Sequence, residues 1–275
     1  MNSRPHNVIT QKNDKVIKMK DYIDFKITEK RILKVRKLQE KENVKKVRNP
    51  LGKQKCNICN YKTNLEFLSY GKKKRPNEKC PNCYSFKRTR TIWFYITKYT
   101  DFLEREDIKI LHTAPESSLY KTLKSRYGDN YISSDIVESQ YVDEIIDAQN
   151  IPYDDNSFDL IITSHVLEHI PDDQKALEEF YRVLKNNGQL VMMIPTLDEL
   201  EKTFEVPQIN TDNLRQRYYK QFDHQRYYGR DVFDKLEEAG FKALREMKYE
   251  LLKYTKETMY HNLAIEPIFI GIKKE

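Results

Sequence analysis

The segment 159–195, DLIITSHVLEHIPDDQKALEEFYRVLKNNGQLVMMIP, constrains the fold of this chain more than any other. Its first apolar run, residues 160–163, is typical of a buried parallel strand. Asn187-Gly188 is predicted to end a following helix, and residues 190–194 to form a second strand. The helix is predicted from an apolar face at helical spacing, made by Leu177, Phe180, Tyr181 and Leu184. A strand, a helix and a strand in this order predict an α/β fold built on a parallel sheet.

The loop after the first of these strands is predicted at the carboxyl edge of the sheet, where open α/β sheets bind their ligands. It carries four side chains with useful chemistry, Ser164, His165, Glu168 and His169. We therefore predict that this loop forms one wall of an active site. For Glu168 and His169, a structural role that ties the loop to the next helix is the alternative.

A second strand and helix pair precedes this unit. Residues 108–111 predict a strand, and Pro115 fits the first turn of a helix that continues to residue 126. A further strand, residues 131–136, contains Asp135, which lies about twenty residues past the first turn, where a ribose-binding carboxylate belongs in a mononucleotide fold. A turn or capping acid is the alternative for Asp135. Asp147 is a candidate for cofactor contact or a plain loop acid.

Residues 108–196 resemble the class I S-adenosylmethionine-dependent methyltransferases that act on small and diverse acceptors. The motifs that carry the resemblance are Asp135, the segment from Asp147 through Ile151-Pro152-Tyr153, and HVLEHI at residues 165–170. The resemblance implies a Rossmann-like seven-stranded sheet, S-adenosyl-L-methionine as the cofactor, and a final antiparallel strand at residues 266–274. It also implies these cofactor-binding residues: His112, Ala114, Glu116, Asp135, Ile136, Asp147, Ala148, Ser164 and His165.

The chain departs from this family in the first turn, where HTAPES at residues 112–117 stands in place of D-x-G-x-G. The missing glycines would normally let the backbone approach the cofactor closely, although Ala114 and Ser117 are still small. The resemblance assigns Glu116 a hydrogen bond to the methionine amino group. A non-catalytic scaffold with a degenerate cofactor site is the hypothesis that this departure leaves open.

The four cysteines form the pattern C-x2-C-x20-C-x2-C, made by Cys56, Cys59, Cys80 and Cys83. Two such pairs can direct four thiolates to one tetrahedral zinc ion, with a hairpin between them. Disulfides are the alternative, but the expected cytoplasmic location disfavours them. Because four thiolates leave no open position, we predict a structural zinc ribbon. A ribbon that presents cations to an anionic partner is the alternative, through Arg75, Lys87, Arg88 and Arg90.

Charge and length suggest the domain organisation. Of the net charge of +7, residues 1–55 hold 17 Lys and Arg against 6 Asp and Glu, so the basic surplus belongs to the N-terminal tail. We predict a basic, partly helical extension at 1–50, the ribbon at 51–92 and a methyltransferase domain at 93–275. The tail is either a solvated helix or an arm for nucleic acid. Neither a membrane span nor a secretory signal is predicted, so a cytoplasmic location follows.

The insert 196–229 is rich in Tyr, Gln, Asn, Asp and Arg and is predicted to form the acceptor side. We predict His224 as the catalytic base, with Asp223 as its carboxylate neighbour and His169 as the second choice. The ribbon, HTAPES and QFDHQRYYGRD make residues 55–272 similar to ribbon-bearing bacterial methyltransferases linked to surface-glycan assembly. This similarity implies O-methylation of a sugar or glycan-linked acceptor. An RNA methyltransferase is the alternative, and the sequence predicts no oligomeric state.

Overall fold

The computed structural model describes most of the chain after the basic tail. The described residues are 54–71, 74–197, 199–245, 263–264 and 267–274. The predicted extension at residues 1–50, with its helix and its suggested role in nucleic-acid binding, lies outside them. Within these ranges no helix has the length and the apolar character needed to cross a membrane.

A mixed seven-stranded sheet forms the centre of the molecule, in the order β10-β11-β9-β8-β5-β6-β7. All neighbouring strands run parallel except β11, which is antiparallel to both β9 and β10. The antiparallel strand predicted within residues 266–274 is therefore present, and it lies between two earlier strands. The strands are β5 (Ile110–Thr113), β6 (Tyr131–Asp135), β7 (Glu144–Ile145), β8 (Phe158–Ser164), β9 (Leu184–Met193), β10 (Lys242–Ala243) and β11 (Phe269–Ile272).

Five α-helices accompany the described strands, and local signals mark several of their ends. The Asp172 side chain accepts from the Lys175 N–H at the start of α3, and the Thr211 hydroxyl caps α4 in the same way. Gly240, with φ of 101°, follows the end of α5. The helices are α1 (Lys87–Tyr99), α2 (Ser117–Tyr127), α3 (Asp173–Val183), α4 (Asp212–Tyr218) and α5 (Val232–Glu238).

The predicted helix stop at Asn187-Gly188 is wrong. The helix α3 ends at Val183, and β9 begins at the next residue, Leu184. Asn187 has φ of 63° and lies inside β9, where the pairing with β8 shifts between Phe158 and Leu160. Asn and Gly tolerate a left-handed backbone in a strand irregularity as well as in a helix cap, so the same pair of residues fits both.

The sheet is buried on both faces, which explains why its central strands read as continuous apolar runs. Leu160 and Ile161 are consecutive in β8, point to opposite faces, and are both fully buried. Ile161 belongs to a core with Phe180 of α3, whereas Leu160 belongs to a second core with Ile92 of α1. The two cores hold the carboxyl ends of the strands in fixed positions.

The region before the sheet consists of two small antiparallel hairpins. Strand β1 (Gln54–Lys55) pairs with β2 (Lys62–Thr63), and β3 (Leu68–Tyr70) pairs with β4 (Arg75–Lys79). The helix α1 starts directly after this ribbon and packs on the sheet through Ile92. The boundary predicted between residues 92 and 93 therefore falls inside a continuous helix.

Candidate functional site

Two residues with left-handed backbone lie side by side at the carboxyl edge of the sheet. Ala114 follows β5 with φ of 48°, and His165 follows β8 with φ of 57°. The Ala114 N–H donates to Ser134 O at 2.7 Å, and the His165 N–H donates to Met193 O at 2.8 Å. This backbone costs a non-glycine residue about 1–2 kcal/mol, and such strain is often found at functional sites. Ala114 thus keeps a conformation that glycine adopts easily.

The same edge collects buried polar atoms without a hydrogen-bond partner among the described residues. Buried polar groups are normally satisfied, so a concentration of such atoms indicates a ligand-binding edge. The atoms lie at the ends of β5, β6 and β8 and at the start of α2. They are His112 Nε2, Glu116 Oε2, Ser118 Oγ, Ser134 Oγ and Ser164 Oγ. This arrangement fits a polar nucleotide cofactor.

Glu116 has one carboxylate oxygen held and the other available. Arg88 of α1 donates from Nε to Glu116 Oε1 at 2.8 Å, and this pair is largely buried. Glu116 Oε2 is buried and accepts no hydrogen bond from the described part of the chain. The helix that extends from the ribbon therefore orients the acid that was predicted to bind the methionine amino group.

The acids predicted to hold the ribose and adenine make turns at their strand ends. Asp135 Oδ1 accepts from the Val137 N–H at 3.2 Å, and Asp147 Oδ1 accepts from the Gln149 N–H at 2.9 Å. Ile136 is 70% exposed, whereas Ala148 is buried. Asp135 and Asp147 thus both act as turn acids, and their contacts with a cofactor remain predictions. An exposed isoleucine beside Asp135 offers an apolar surface for a base to stack on.

His112 is fully buried within β5, beneath this edge. Its Nδ1 lies 2.8 Å from the Tyr131 hydroxyl oxygen, and burial lowers the pKa of His112 to about 4. The ring is therefore neutral at pH 7. Its predicted contact with the cofactor can only be made through Nε2.

The predicted catalytic residues form one cluster on the acceptor side. Ligand atoms of Glu168, His169 and His224 lie within 4.8 Å of one another, although 55 residues separate His169 from His224. The two imidazole rings are nearly perpendicular, with centroids 4.7 Å apart. Asp223 Oδ2 lies 3.1 Å from His169 Nδ1. The carboxylate expected to assist His224 therefore contacts His169 instead, because the loop directs the consecutive side chains Asp223 and His224 differently.

Glu168 is the residue of this cluster that the sequence did not predict to be catalytic. It is fully buried, and neither carboxylate oxygen accepts a hydrogen bond from the described residues. His165 Nδ1 lies 3.2 Å from Glu168 Oε1, so the two form an ion pair only when that histidine is protonated. Burial lowers the pKa of His224, while the nearby Glu168 opposes that shift. His224 Nδ1 is buried and has no hydrogen-bond partner in the described ranges.

Arg226 fixes the acceptor-side insert to the HVLEHI loop, a role that no sequence pattern predicted. The side chain is 1% exposed. It donates to both oxygens of Glu205, at 2.7 and 2.9 Å, and to the backbone carbonyls of Leu167, Ile170 and Pro171. The Gln225 N–H also donates to Glu168 O at 2.7 Å. These bonds bring the insert residues 223–224 against residues 168–169.

The four cysteines lie together, as their spacing predicts. Sγ atoms are 3.6 Å apart between Cys56 and Cys83 and 3.7 Å apart between Cys59 and Cys80, and all four thiols are free. Four thiolates around zinc at about 2.3 Å would be about 3.8 Å apart, so the cluster fits a tetrahedral ion and not disulfides. The fit leaves no position for a substrate.

Two of the four cations that the ribbon was suggested to present are committed elsewhere. Arg90 is fully buried, and it donates to the carbonyls of Ser85 and Glu78. Burial lowers the pKa of Arg90 to about 10. Arg88 is paired with Glu116. The suggestion that Arg90 faces an anionic partner is therefore wrong, because its buried side chain holds the ribbon to α1. Arg88 instead joins α1 to Glu116 at the cofactor edge.

Comparison with known proteins places the methyltransferase resemblance in the parallel half of the sheet. Residues 107–192 match a family profile described as "Methyltransferase domain". A demethylmenaquinone methyltransferase of Staphylococcus epidermidis is 47% identical over 47 residues, which are 17% of this chain and 20% of that protein. An uncharacterized protein of Methanocaldococcus jannaschii is 43% identical over 53 residues, 19% of this chain and 23% of that protein. The matches span only about a fifth of these relatives.

Solved structures with a similar fold include the YcgJ protein of Bacillus subtilis. It is 17% identical, with a TM-score of 0.43, and the alignment covers 62% of this chain and 94% of that one. The profile match and the predicted motifs support a class I methyltransferase domain, and S-adenosylmethionine is the expected cofactor of that family.

Proposed function

We propose that this protein is a cytoplasmic S-adenosylmethionine-dependent methyltransferase that methylates a hydroxyl oxygen of a sugar or glycan-linked acceptor. The observation that carries the proposal is the set of unsatisfied polar atoms at the ends of β5, β6 and β8. The cluster of Glu168, His169 and His224 lies on the loop after β8 and on the insert that packs against it.

Residues of the chain would hold the cofactor through its three polar parts. Glu116 Oε2, held in place by Arg88, would accept from the methionine amino group. Asp135 would accept from the ribose hydroxyls, and Asp147 and Ala148 would border the adenine. When bound, S-adenosylmethionine supplies an electrophilic methyl group on a sulfonium.

On the acceptor side, the protein would align one hydroxyl group with that methyl group and remove its proton. The hydroxyl oxygen forms the new O–C bond while the S–C bond breaks and its electron pair stays on sulfur. The hydroxyl proton passes to a histidine, His224 as first choice and His169 with Asp223 as second choice. A base is needed because a neutral hydroxyl is a weak nucleophile.

The ribbon would hold one structural zinc ion through Cys56, Cys59, Cys80 and Cys83. A region of this size has too small an apolar core to fold without such a metal. The zinc would act only by holding the ribbon folded, because α1 begins at the end of the ribbon and places Arg88 against Glu116.

Calorimetry with S-adenosylhomocysteine tests the cofactor site. We expect binding to the wild type, and Asp135→Ala should weaken it by about 1–3 kcal/mol, as for the loss of hydrogen bonds to a buried partner. Asp129→Ala is the matched control, because Asp129 is exposed near the opposite end of β6. No binding to the wild type would favour the scaffold hypothesis, and unchanged affinity in Asp135→Ala would reject the ribose contact.

Transfer from cofactor with a labelled methyl group tests the acceptor. Label is expected in the glycan fraction of a lysate, and label in RNA would reject the acceptor class in favour of the alternative. His224→Gln should bind S-adenosylhomocysteine normally but turn over slowly. A wild-type rate in that variant would exclude His224 as the base.

A further inference from the structure

We infer that Glu168, His169 and His224 bind a divalent transition-metal ion on the acceptor side, in addition to the ion of the cysteine ribbon. The inference rests on the proposed function only for the role of the ion, which is to bind the acceptor oxygen. Zinc is the ion that this ligand set suits best, because two imidazoles and one carboxylate form a common catalytic zinc set with a fourth position open.

The first argument is the burial of Glu168. Its side chain is fully buried, and neither carboxylate oxygen accepts a hydrogen bond from the described residues, although His165 Nδ1 lies 3.2 Å from Oε1. A buried carboxylate is costly unless it is paired, hydrogen-bonded or bound to a metal. Arg226, the buried cation that approaches from the insert, donates to Glu205 and to backbone carbonyls and makes no hydrogen bond to Glu168. A cation bound by the two histidines would supply the missing partner.

The second argument is the geometry of the three ligand atoms, which lie within 4.8 Å of one another. The centre of a triangle of that size is at most about 2.8 Å from each atom, so an inward shift of about 0.7 Å gives zinc distances near 2.1 Å. His224 Nδ1 is buried and has no hydrogen bond within the described ranges, so it is available as a ligand.

The third argument is an outer carboxylate in the correct place. Metal-bound histidines commonly donate their second ring N–H to a carboxylate, which fixes the tautomer and the ring orientation. Asp223 Oδ2 lies 3.1 Å from His169 Nδ1, which leaves His169 Nε2 to face the ion. The side chains of His169 and Asp223 are 30% and 41% exposed, and they provide a path for the ion and the acceptor.

A metal here changes the chemistry of the acceptor. The ion would bind the acceptor hydroxyl oxygen and lower the pKa of that hydroxyl, so its proton would leave to water. In this refinement of the proposed function, His224 and His169 hold the ion in place of acting as the base. The oxygen then forms the O–C bond as the S–C bond breaks. An acceptor with a second oxygen beside the reacting hydroxyl, as in a sugar diol, would be preferred.

Metal counting on the full chain tests the inference. The protein is freed of metal, dialysed against Zn²⁺, and its bound metal is measured by mass spectrometry. We expect two ions per chain in the wild type, and one in Glu168→Gln and in His224→Gln. Asp223→Asn should keep the second ion with about 10–100-fold weaker affinity. Glu201→Gln is the matched control, since the Glu201 side chain is 84% exposed, and it should bind two.

A titration of the wild type with Co²⁺ gives an answer that does not depend on the folding of any variant. Thiolate-to-cobalt absorption should saturate after one equivalent, while a second equivalent binds without adding to that absorption. A single bound ion, with full thiolate absorption, overturns the inference. Calorimetry with S-adenosylhomocysteine on the same sample separates the two proposals: cofactor binding with one metal rejects only the second ion, and two metals without cofactor binding reject only the proposed function.

Discussion

The molecule contains two clusters of potential metal ligands that are built in opposite ways. The cysteine ribbon takes all four ligands from 28 consecutive residues, two from the turn of the first small hairpin and two from the segment directly after the second. The acceptor-side cluster combines Glu168 and His169 with His224, which is distant in sequence and is held in place by Arg226. Local geometry defines the first cluster, whereas packing of the insert defines the second.

This difference also separates their chemistry. Four thiolates close a coordination sphere and can only stabilise a fold, while two histidines and a carboxylate leave a position for a reactant. The helix α1 connects the ribbon to the cofactor edge through the Arg88–Glu116 ion pair. The ribbon can therefore influence cofactor binding, but it contributes no residue to the acceptor-side cluster.

The largest effect is expected from Cys80→Ser. The ribbon should lose its metal and unfold, because structural zinc in such modules contributes about 10–16 kcal/mol of apparent binding free energy. The sheet should remain folded, since its two cores contain no cysteine. Limited proteolysis followed by mass spectrometry should show cleavage before residue 87 and a protected sheet. A ribbon that resists protease in this variant would contradict the local character of the cluster.

Arg226→Met should disturb the acceptor cluster and leave the ribbon intact. Removing the guanidinium takes the donor from the carbonyls of Ile170 and Pro171, and one of two donors from Leu167 O, at a cost of about 3 kcal/mol in the free energy of unfolding. Denaturant unfolding measures the loss, and metal analysis should still find the ribbon ion. Arg230→Met is the control, because Arg230 pairs with Glu201 on the surface and should change stability by less than about 1 kcal/mol. Equal losses in the two variants would show that Arg226 does not hold the insert.

Protonation of His112, a residue of the sheet, should make the stability of the fold fall in acid. His112 has a folded pKa of about 4 against 6.5 when unfolded, so the unfolded chain binds the extra proton between these values. Its contribution to stability is complete above pH 6.5 and falls by up to about 3 kcal/mol as the pH drops to 4. Unfolding of wild type and His112→Gln across this range should show a shallower pH dependence in the variant. Parallel curves would exclude His112 as the source.

The smallest effect is expected from Arg88→Gln, which breaks the ion pair that connects the ribbon helix α1 to the cofactor edge. Glu116 would lose the partner that orients it, and S-adenosylhomocysteine affinity should fall by about 1 kcal/mol, or roughly 5-fold. Calorimetry measures this, with metal content unchanged in both clusters. Arg75→Gln is the control, since the Arg75 side chain is 59% exposed on the ribbon. Wild-type affinity in Arg88→Gln would mean that the ribbon does not support the cofactor site.

Much of the fold could be predicted because its signals are local. The apolar runs at residues 108–111 and 160–163 are properties of short segments, and the structure places strands there. The Asn187-Gly188 prediction failed for the same reason, because a local signal that permits a left-handed backbone does not say whether a helix or a strand surrounds it. At the site, Asp223 and His224 were predicted together, but their separate partners depend on how the insert packs.

The sequence by itself determined the cysteine cluster and the parallel strands, since spacing of two residues and runs of apolar side chains act over a few residues. Only the tertiary structure decided that Arg88 holds Glu116, that Arg90 is buried in the ribbon, and that the buried Glu168 lies beside two histidines. The reason is that burial removes water as a partner, so the role of a charged side chain depends on which groups from distant segments replace it.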